Sequence, residues 1–180
     1  DFARDFIHLE ESLKPTFTHT FLAQLENSGK LRGVITQNID SLHQRAGSQN
    51  VFEVHGSFWR SHCLKCKREY SYEHLKEVLQ EQDVPFCFCN GVIKPDVVFF
   101  GESVKYMQEA AELAASVDLF FVLGTSCTVF PAASLPEYAS GRIIVINNTP
   151  VRLNCYNIAL EVIEDTDSFF QRVHNFLESE

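Results

Sequence analysis

An α/β protein built on a doubly wound parallel sheet is the fold class that this 180-residue sequence predicts, and three observations predict it. Short β-prone runs alternate with helical stretches along most of the chain, as in a parallel sheet covered by helices. The segment from Phe58 to Lys94 breaks that alternation with two cysteine pairs, Cys63 with Cys66 and Cys87 with Cys89, which reads as a small inserted module. A chain of this length buries one sizeable core and leaves little room for a second full domain.

Each element has its own signal. Lys14-Pro15-Thr16 opens a helix over Phe17 to Asn27, with Phe21, Leu22 and Leu25 recurring at three to four residues and Gly29 beyond its end. Leu31 to Thr36 is a buried strand, and the polar cluster Gln37-Asn38-Ile39-Asp40 sits at its carboxyl end, where open α/β sheets bind ligands. Val51 to Val54 is a second short strand that delivers His55. Inside the cysteine segment Tyr72 to Gln82 is helical. Val97 to Phe100 is a β-prone run, and Val104 to Ala115 a helix of Ala-rich propensity whose Glu109 and Glu112 mark a polar face. Asp118 to Leu123 is a strand, Pro131 to Ala139 a helix with proline at its start, and Arg142 to Ile146 another strand. Ala159 to Ile163 is a last strand before the helix Ser168 to Leu177. The sequence thus divides into a Rossmann-like domain, 1–57 and 95–180, and an inserted zinc module, 58–94.

The formal charge is −9, and four thiolates holding one Zn²⁺ would make it two units more negative. Such a surface repels phosphate backbones, which argues against direct nucleic-acid binding, and favours basic partners such as lysine-rich protein tails; ordinary solubility explains the charge equally well. The longest uninterrupted apolar run, Leu119 to Leu123, is too short to span a bilayer, and Asp1 to Glu10 carries no signal-peptide pattern. An intracellular, reducing setting is the default, cytoplasmic or, in a eukaryote, nuclear; in an oxidising one the six cysteines could form three disulfides.

Paired short spacing favours metal. In a tetrahedral site with Zn–S of about 2.3 Å, neighbouring sulfurs lie roughly 3.8 Å apart, a spacing that Cys-x-x-Cys reaches through a tight knuckle. Cys87-Phe88-Cys89 is one residue shorter, so its backbone must bend, and Asn90-Gly91 can supply the turn. Free thiols, or His62 or His74 in place of one cysteine, are the competing readings. With four protein ligands the metal would be structural, in a module with little core of its own.

Taken in order, Thr36-Gln37-Asn38-Ile39-Asp40, His55-Gly56, the four cysteines, Lys94 to Glu102, Gly124-Thr125-Ser126 and Ile146-Asn147 resemble the sirtuin family, NAD-dependent protein-lysine deacylases. The resemblance covers nearly the whole chain. It implies that His55 is the general base on the nicotinamide ribose, a role for which imidazole, with an ordinary pKa of about 6.5, is suited. It implies that Ile39 and Asp40 face nicotinamide, that Gln37 and Asn38 lie nearer the ribose, and that Gly124, Thr125, Ser126 and Asn147 complete the NAD site. It implies that Val98, Phe99, Phe100 and Gly101 receive an acyl-lysine peptide, with Val98 and Phe99 in the acyl tunnel. The reaction implied is attack of the acyl oxygen on C1′ of the nicotinamide ribose, loss of nicotinamide, and collapse to deacylated lysine and O-acyl-ADP-ribose. Read without the family, each motif has a plainer meaning: a polar loop with an Asx turn for Gln37 to Asp40, a turn residue for Asn147, a core strand for Val97 to Gly101.

Two other classes use the same residues: an NAD glycohydrolase or ADP-ribosyltransferase, and a non-catalytic interaction module that keeps fold and zinc. The sequence also departs from the family. No Gly-x-Gly precedes the first strand, so a central strand and part of the phosphate site are missing, and the apolar edges of Leu31 to Thr36 and Asp118 to Leu123 are expected to be exposed. On this reading the sequence belongs to a longer protein and by itself binds NAD weakly or not at all. The family's Tyr-x-x-Arg pair for acidic acyl groups is not evident in Asp1 to Glu11.

Overall fold

The computed structural model describes Phe6, Ile7 and residues 12–179; most of the Asp1 to Glu11 stretch therefore lies outside the described residues. Helix α1 (Phe17–Asn27) starts at Thr16, whose hydroxyl donates to the Asp167 carboxylate at 2.8 Å. The Thr18 amide donates to the same oxygen at 2.8 Å. That carboxylate opens helix α5 (Thr166–Glu178), so the two helices are tied at their first turns and pack through Phe21 and Phe170.

Strand β1 (Val34–Thr36) is shorter than Leu31 to Thr36, because the Lys30 and Leu31 amides bond back to the Leu25 carbonyl and finish α1 instead. A single-turn helix α2 (Leu42–Arg45) leads to β2 (Val51–Glu53), which runs parallel to β1 with Ile35 opposite Phe52. The chain then enters a three-stranded antiparallel sheet of β3 (Gly56–Cys63), β4 (Glu69–Ser71) and β5 (Ile93–Val97), in the order β4-β3-β5, backed by helix α3 (Tyr72–Glu81).

One expectation changes here. The β-prone run expected over Val97 to Phe100 pairs earlier, as β5, and ends at Val97; the Phe99 amide bonds the Glu102 carboxylate rather than a neighbouring strand. The 58–94 segment contributes to a buried cluster that it shares with Ile7 and Val97 from outside it. Phe58, Tyr72, Leu75, Leu79, Ile93 and Val97 are buried together with Cys63 and Cys87, since the amphipathic α3 lays Leu75 and Leu79 on the sheet.

Helix α4 (Met107–Ala115) begins three residues later than Val104, because Tyr106 adopts a φ of 53° and the Lys105 amide bonds the Val54 carbonyl. Strands β6 (Leu119–Leu123), β7 (Arg142–Asn147) and β8 (Ile158–Ile163) form a parallel sheet in sequence order. The Pro131 to Ala139 segment is a 3₁₀ helix, Ala132–Tyr138, whose internal Pro136 has no amide to donate. The α/β class with parallel strands holds, in two ladders rather than one. Among the described residues β1 pairs only with β2, and β6 only with β7.

Candidate active site and metal centre

Facing each other across that break, β1 and β6 line a cleft of about 640 Å³. At its carboxyl-end mouth lie Thr36, Gln37 and Asn38 from one side and Gly124, Thr125 and Cys127 from the other. The two loops are built differently. After β1 the Asn38 amide bonds the Thr36 hydroxyl at 3.1 Å, and Asp40 Oδ1 accepts from the Leu42 amide at 3.0 Å, an Asx turn of the kind the plain reading of this loop expects. After β6 the Gly124 amide bonds the Ile146 carbonyl, and the Cys127 amide bonds the Thr125 hydroxyl at 3.2 Å. Ser126 is exposed and its hydroxyl meets that of Thr128 at 2.9 Å.

His55 stands just past β2. Its Nδ1 lies 3.1 Å from the Gln37 carbonyl oxygen. A carbonyl only accepts, so in the neutral ring Nδ1 carries the proton and Nε2 is left with its lone pair free to accept one. The His55 carbonyl accepts from the Val98 amide at 2.9 Å, which binds the histidine to the start of the segment Val98 to Gly101. The next residue, Gly56, has a φ of +79°, and a Cβ there would sit 1.9 Å from the Asp96 carbonyl oxygen. The glycine of the His-Gly pair is therefore dictated by the close approach of β3 to β5.

Phe99 and Phe100 are exposed, Phe100 completely. The Phe99 backbone is held by two residues of the Lys94 to Glu102 motif that had no role of their own: Glu102 accepts from the Phe99 amide at 3.0 Å and from Lys94 Nζ at 2.9 Å. The Lys94 ammonium also lies 4.6 Å from the centre of the Phe99 ring. A second unforeseen group lies behind the Gln37 to Asp40 loop. Glu53, 5% exposed, accepts from the Ser41 hydroxyl at 2.9 Å and pairs with Arg60 at 3.2 Å. Ile39 packs on the core of the inserted module, and its carbonyl accepts from the Phe58 amide. Asn147 ends β7 with its side-chain amide turned onto the Thr149 carbonyl at 2.8 Å, as a turn residue does. His43 and His19 lie together beside the cleft with ring centres 4.6 Å apart and planes tilted by 47°. Burial pushes the His43 imidazole down to about 4, with His19 adding to the shift and Asp40 opposing it.

The four cysteine sulfurs lie within 4.8 Å of one another, Cys63 to Cys89 at 3.5 Å and Cys66 to Cys87 at 3.6 Å. That spacing fits one tetrahedral Zn²⁺. Among the described residues the group contains no histidine: His62 faces Asp96 at 3.7 Å, and His74 stacks on Tyr70 at 4.7 Å. The amides of Lys65 and Cys66 point at Cys63 Sγ, both at 3.4 Å, and push its thiol down, Cys66 having the larger effect. Cys87 is pushed down to about 6, chiefly by the Cys89 amide and then by the Tyr70 hydroxyl. Burial is the main cause pushing Cys89 up to about 12. The short Cys87-Phe88-Cys89 pair closes because Asn90 takes a φ of 59° and Gly91 passes under the site, where a Cβ would stand 2.6 Å from Cys63 Sγ.

The Sir2 family model matches residues 2–131. The chain belongs to the Sir2 family. An NAD-dependent protein deacetylase from Thermotoga maritima is 41% identical over 152 residues, which cover 81% of this chain and 62% of the relative. NAD-dependent protein deacylase 2 from Pyrobaculum aerophilum is 46% identical over 143 residues, 76% of this chain and 56% of the relative. The chain thus spans about three fifths of the length of these Sir2 relatives. Among solved structures, Sir2 with a p53 peptide and NAD⁺ superposes with a TM-score of 0.93 at 37% identity, covering 99% of this chain and 77% of that one. Sir2Tm bound to a propionylated peptide gives 0.92 at 37%, covering 99% and 78%. Among the described residues no helix is long and apolar enough to cross a membrane.

Proposed function

We propose that this site removes acyl groups, acetyl foremost, from protein lysine at the expense of NAD, yielding nicotinamide and O-acyl-ADP-ribose. The contact between His55 Nδ1 and the Gln37 carbonyl carries the reading, because it leaves Nε2 as a base beside the loop that follows β1. Support comes from the Sir2 relatives, which are named NAD-dependent protein deacetylases and deacylases, and from solved Sir2 complexes with acetylated and propionylated peptides.

In this proposal His55 takes a proton from a ribose hydroxyl. Gln37 and Asn38 hold the nicotinamide ribose, Ile39 and Asp40 face the nicotinamide, and Gly124, Thr125, Ser126 and Asn147 serve the adenosine half. Val98, Phe99, Phe100 and Gly101 receive the peptide, whose strand would pair with a backbone that Glu102 and Lys94 already hold. Zinc, when bound, supplies no chemistry to the reaction and fastens the Cys63 and Cys87 loops to each other. The division of labour follows the sequence: 1–57 and 95–180 for NAD, 58–94 for the metal, in an intracellular protein with lysine-containing protein partners.

The test is mass spectrometry of an acetyl-lysine peptide incubated with the protein, with and without NAD. Loss of the acetyl group only when NAD is present is the expected result, and an unchanged peptide at an NAD concentration that calorimetry shows to fill the site overturns the reading.

A further inference from the structure

The two cysteine knuckles donate to their sulfurs unequally. Cys63 opens a Cys-x-x-Cys pair and its Sγ receives two amides, those of the second and third residues after it, Lys65 and Cys66. Cys87 opens the shorter pair. Its Sγ receives the Cys89 amide, but the amide of the third residue, Asn90, is turned away to the Cys87 carbonyl at 2.8 Å. The tight turn that lets Cys-x-Cys close therefore removes one donor from a sulfur that must be a thiolate when metal binds. A side chain stands in that place: Tyr70 Oη lies 2.9 Å from Cys87 Sγ.

We infer that Tyr70 is a positioning residue of the metal centre, whose hydroxyl supplies Cys87 with the second hydrogen bond that the shortened knuckle cannot give. The inference rests on the four cysteines holding zinc. Four thiolates around Zn²⁺ carry a net charge of about −2 in a partly buried place, and each donor spreads that charge and fixes a sulfur's direction. Tyr70 is suited to the task because its ring cannot swing. It sits on β4 opposite Ser61 of β3, packs against the module core, and stacks on His74 with the ring planes 18° apart. Phe88, the residue skipped between the ligands, is exposed beneath the Arg68 guanidinium and offers no donor of its own.

The experiment titrates Zn²⁺ into metal-free, reduced protein against a chromophoric chelator, for the native chain, Tyr70→Phe and Tyr70→Leu, with zinc release timed after adding excess chelator. Tyr70→Phe keeps the ring and loses only the donor. It is expected to bind zinc about 10- to 100-fold more weakly and release it faster, while its metal-free form melts with the native one. Co²⁺ substitution reports the ligand field directly, with a shifted thiolate-to-metal band expected in Tyr70→Phe. Native affinity and release rate in Tyr70→Phe overturn the inference, even when Tyr70→Leu is impaired, because that pattern assigns Tyr70 to packing alone. If the native chain binds no zinc, the metal reading falls and takes this inference with it; weak binding confined to Tyr70→Phe leaves the metal reading standing.

Discussion

The zinc module and the β1/β6 cleft solve the problem of holding a site together in opposite ways. In the cysteine segment the four thiols come from two loops of one antiparallel sheet, and the sheet, α3, Cys63 and Cys87 share one buried cluster while Cys66 is exposed. At the cleft the contributing strands belong to separate ladders and meet only through loops, helices and the walls of the gap. The cysteine ligands are therefore positioned by local packing, whereas the cleft is lined by strands of two different ladders. Regions held by few buried contacts open at lower free energy, so ligand at the cleft and metal in the module should stabilise different parts of the molecule.

The largest effect expected concerns the bridge between the two regions, the loop carrying His55. His55→Ala should lower NAD-dependent deacylation by about 10²- to 10⁴-fold, in steady-state assays, with zinc content and melting temperature unchanged. A mutant that turns over normally would assign the base to another residue. Chelation should separate the regions next. Removing zinc is expected to lower the melting temperature by on the order of 10 °C and to speed proteolysis within the Cys63 and Cys87 loops, while the buried α3 contacts persist in hydrogen exchange. Loss of the whole module on chelation would show that its apolar core contributes less than its burial suggests.

Smaller changes test single contacts. Gly91→Ala puts a Cβ against Cys63 Sγ and should weaken zinc binding, at a cost of about 1–3 kcal/mol in the stability of the zinc-loaded protein by chemical denaturation. On the cleft side, pH reads the His19 and His43 pair. The folded-state pKa of His43 is depressed, so between about 4 and 6.5 the unfolded chain binds more protons than the folded one. Stability is thus complete above the ordinary imidazole range and is lost as pH falls through this window, and His43→Gln should flatten that part of the melting profile. His19, lowered chiefly by burial, acts in the same direction.

The same contrast explains what the sequence made legible. Four cysteines within 27 residues announce their own site, because a metal knuckle is a local constraint on spacing. Helix α1 was legible to the residue from its apolar spacing, and the strands of the β6–β8 ladder to within one or two residues. The boundary that failed most, Val97 to Phe100, failed because β propensity does not say which partner a strand will find; Ile93 to Val97 had β3 beside it and Phe99 had Glu102. Glu53, Lys94 and Glu102 were invisible as site residues for a related reason. Each acts on a residue that is 3 to 12 positions away in sequence and adjacent only after folding. Tyr70 was hidden too, since nothing in a tyrosine near a cysteine says where its hydroxyl will point.

Nicotinamide release, measured with and without an acetyl-lysine peptide, tests the central claim most directly. A deacylase couples cleavage of NAD to the acyl oxygen, so nicotinamide should appear only when the peptide is present, one molecule for each lysine deacylated, and His55→Ala should stop deacylation. Nicotinamide released at the same rate without peptide would contradict the account and make the cleft a hydrolase or transferase site.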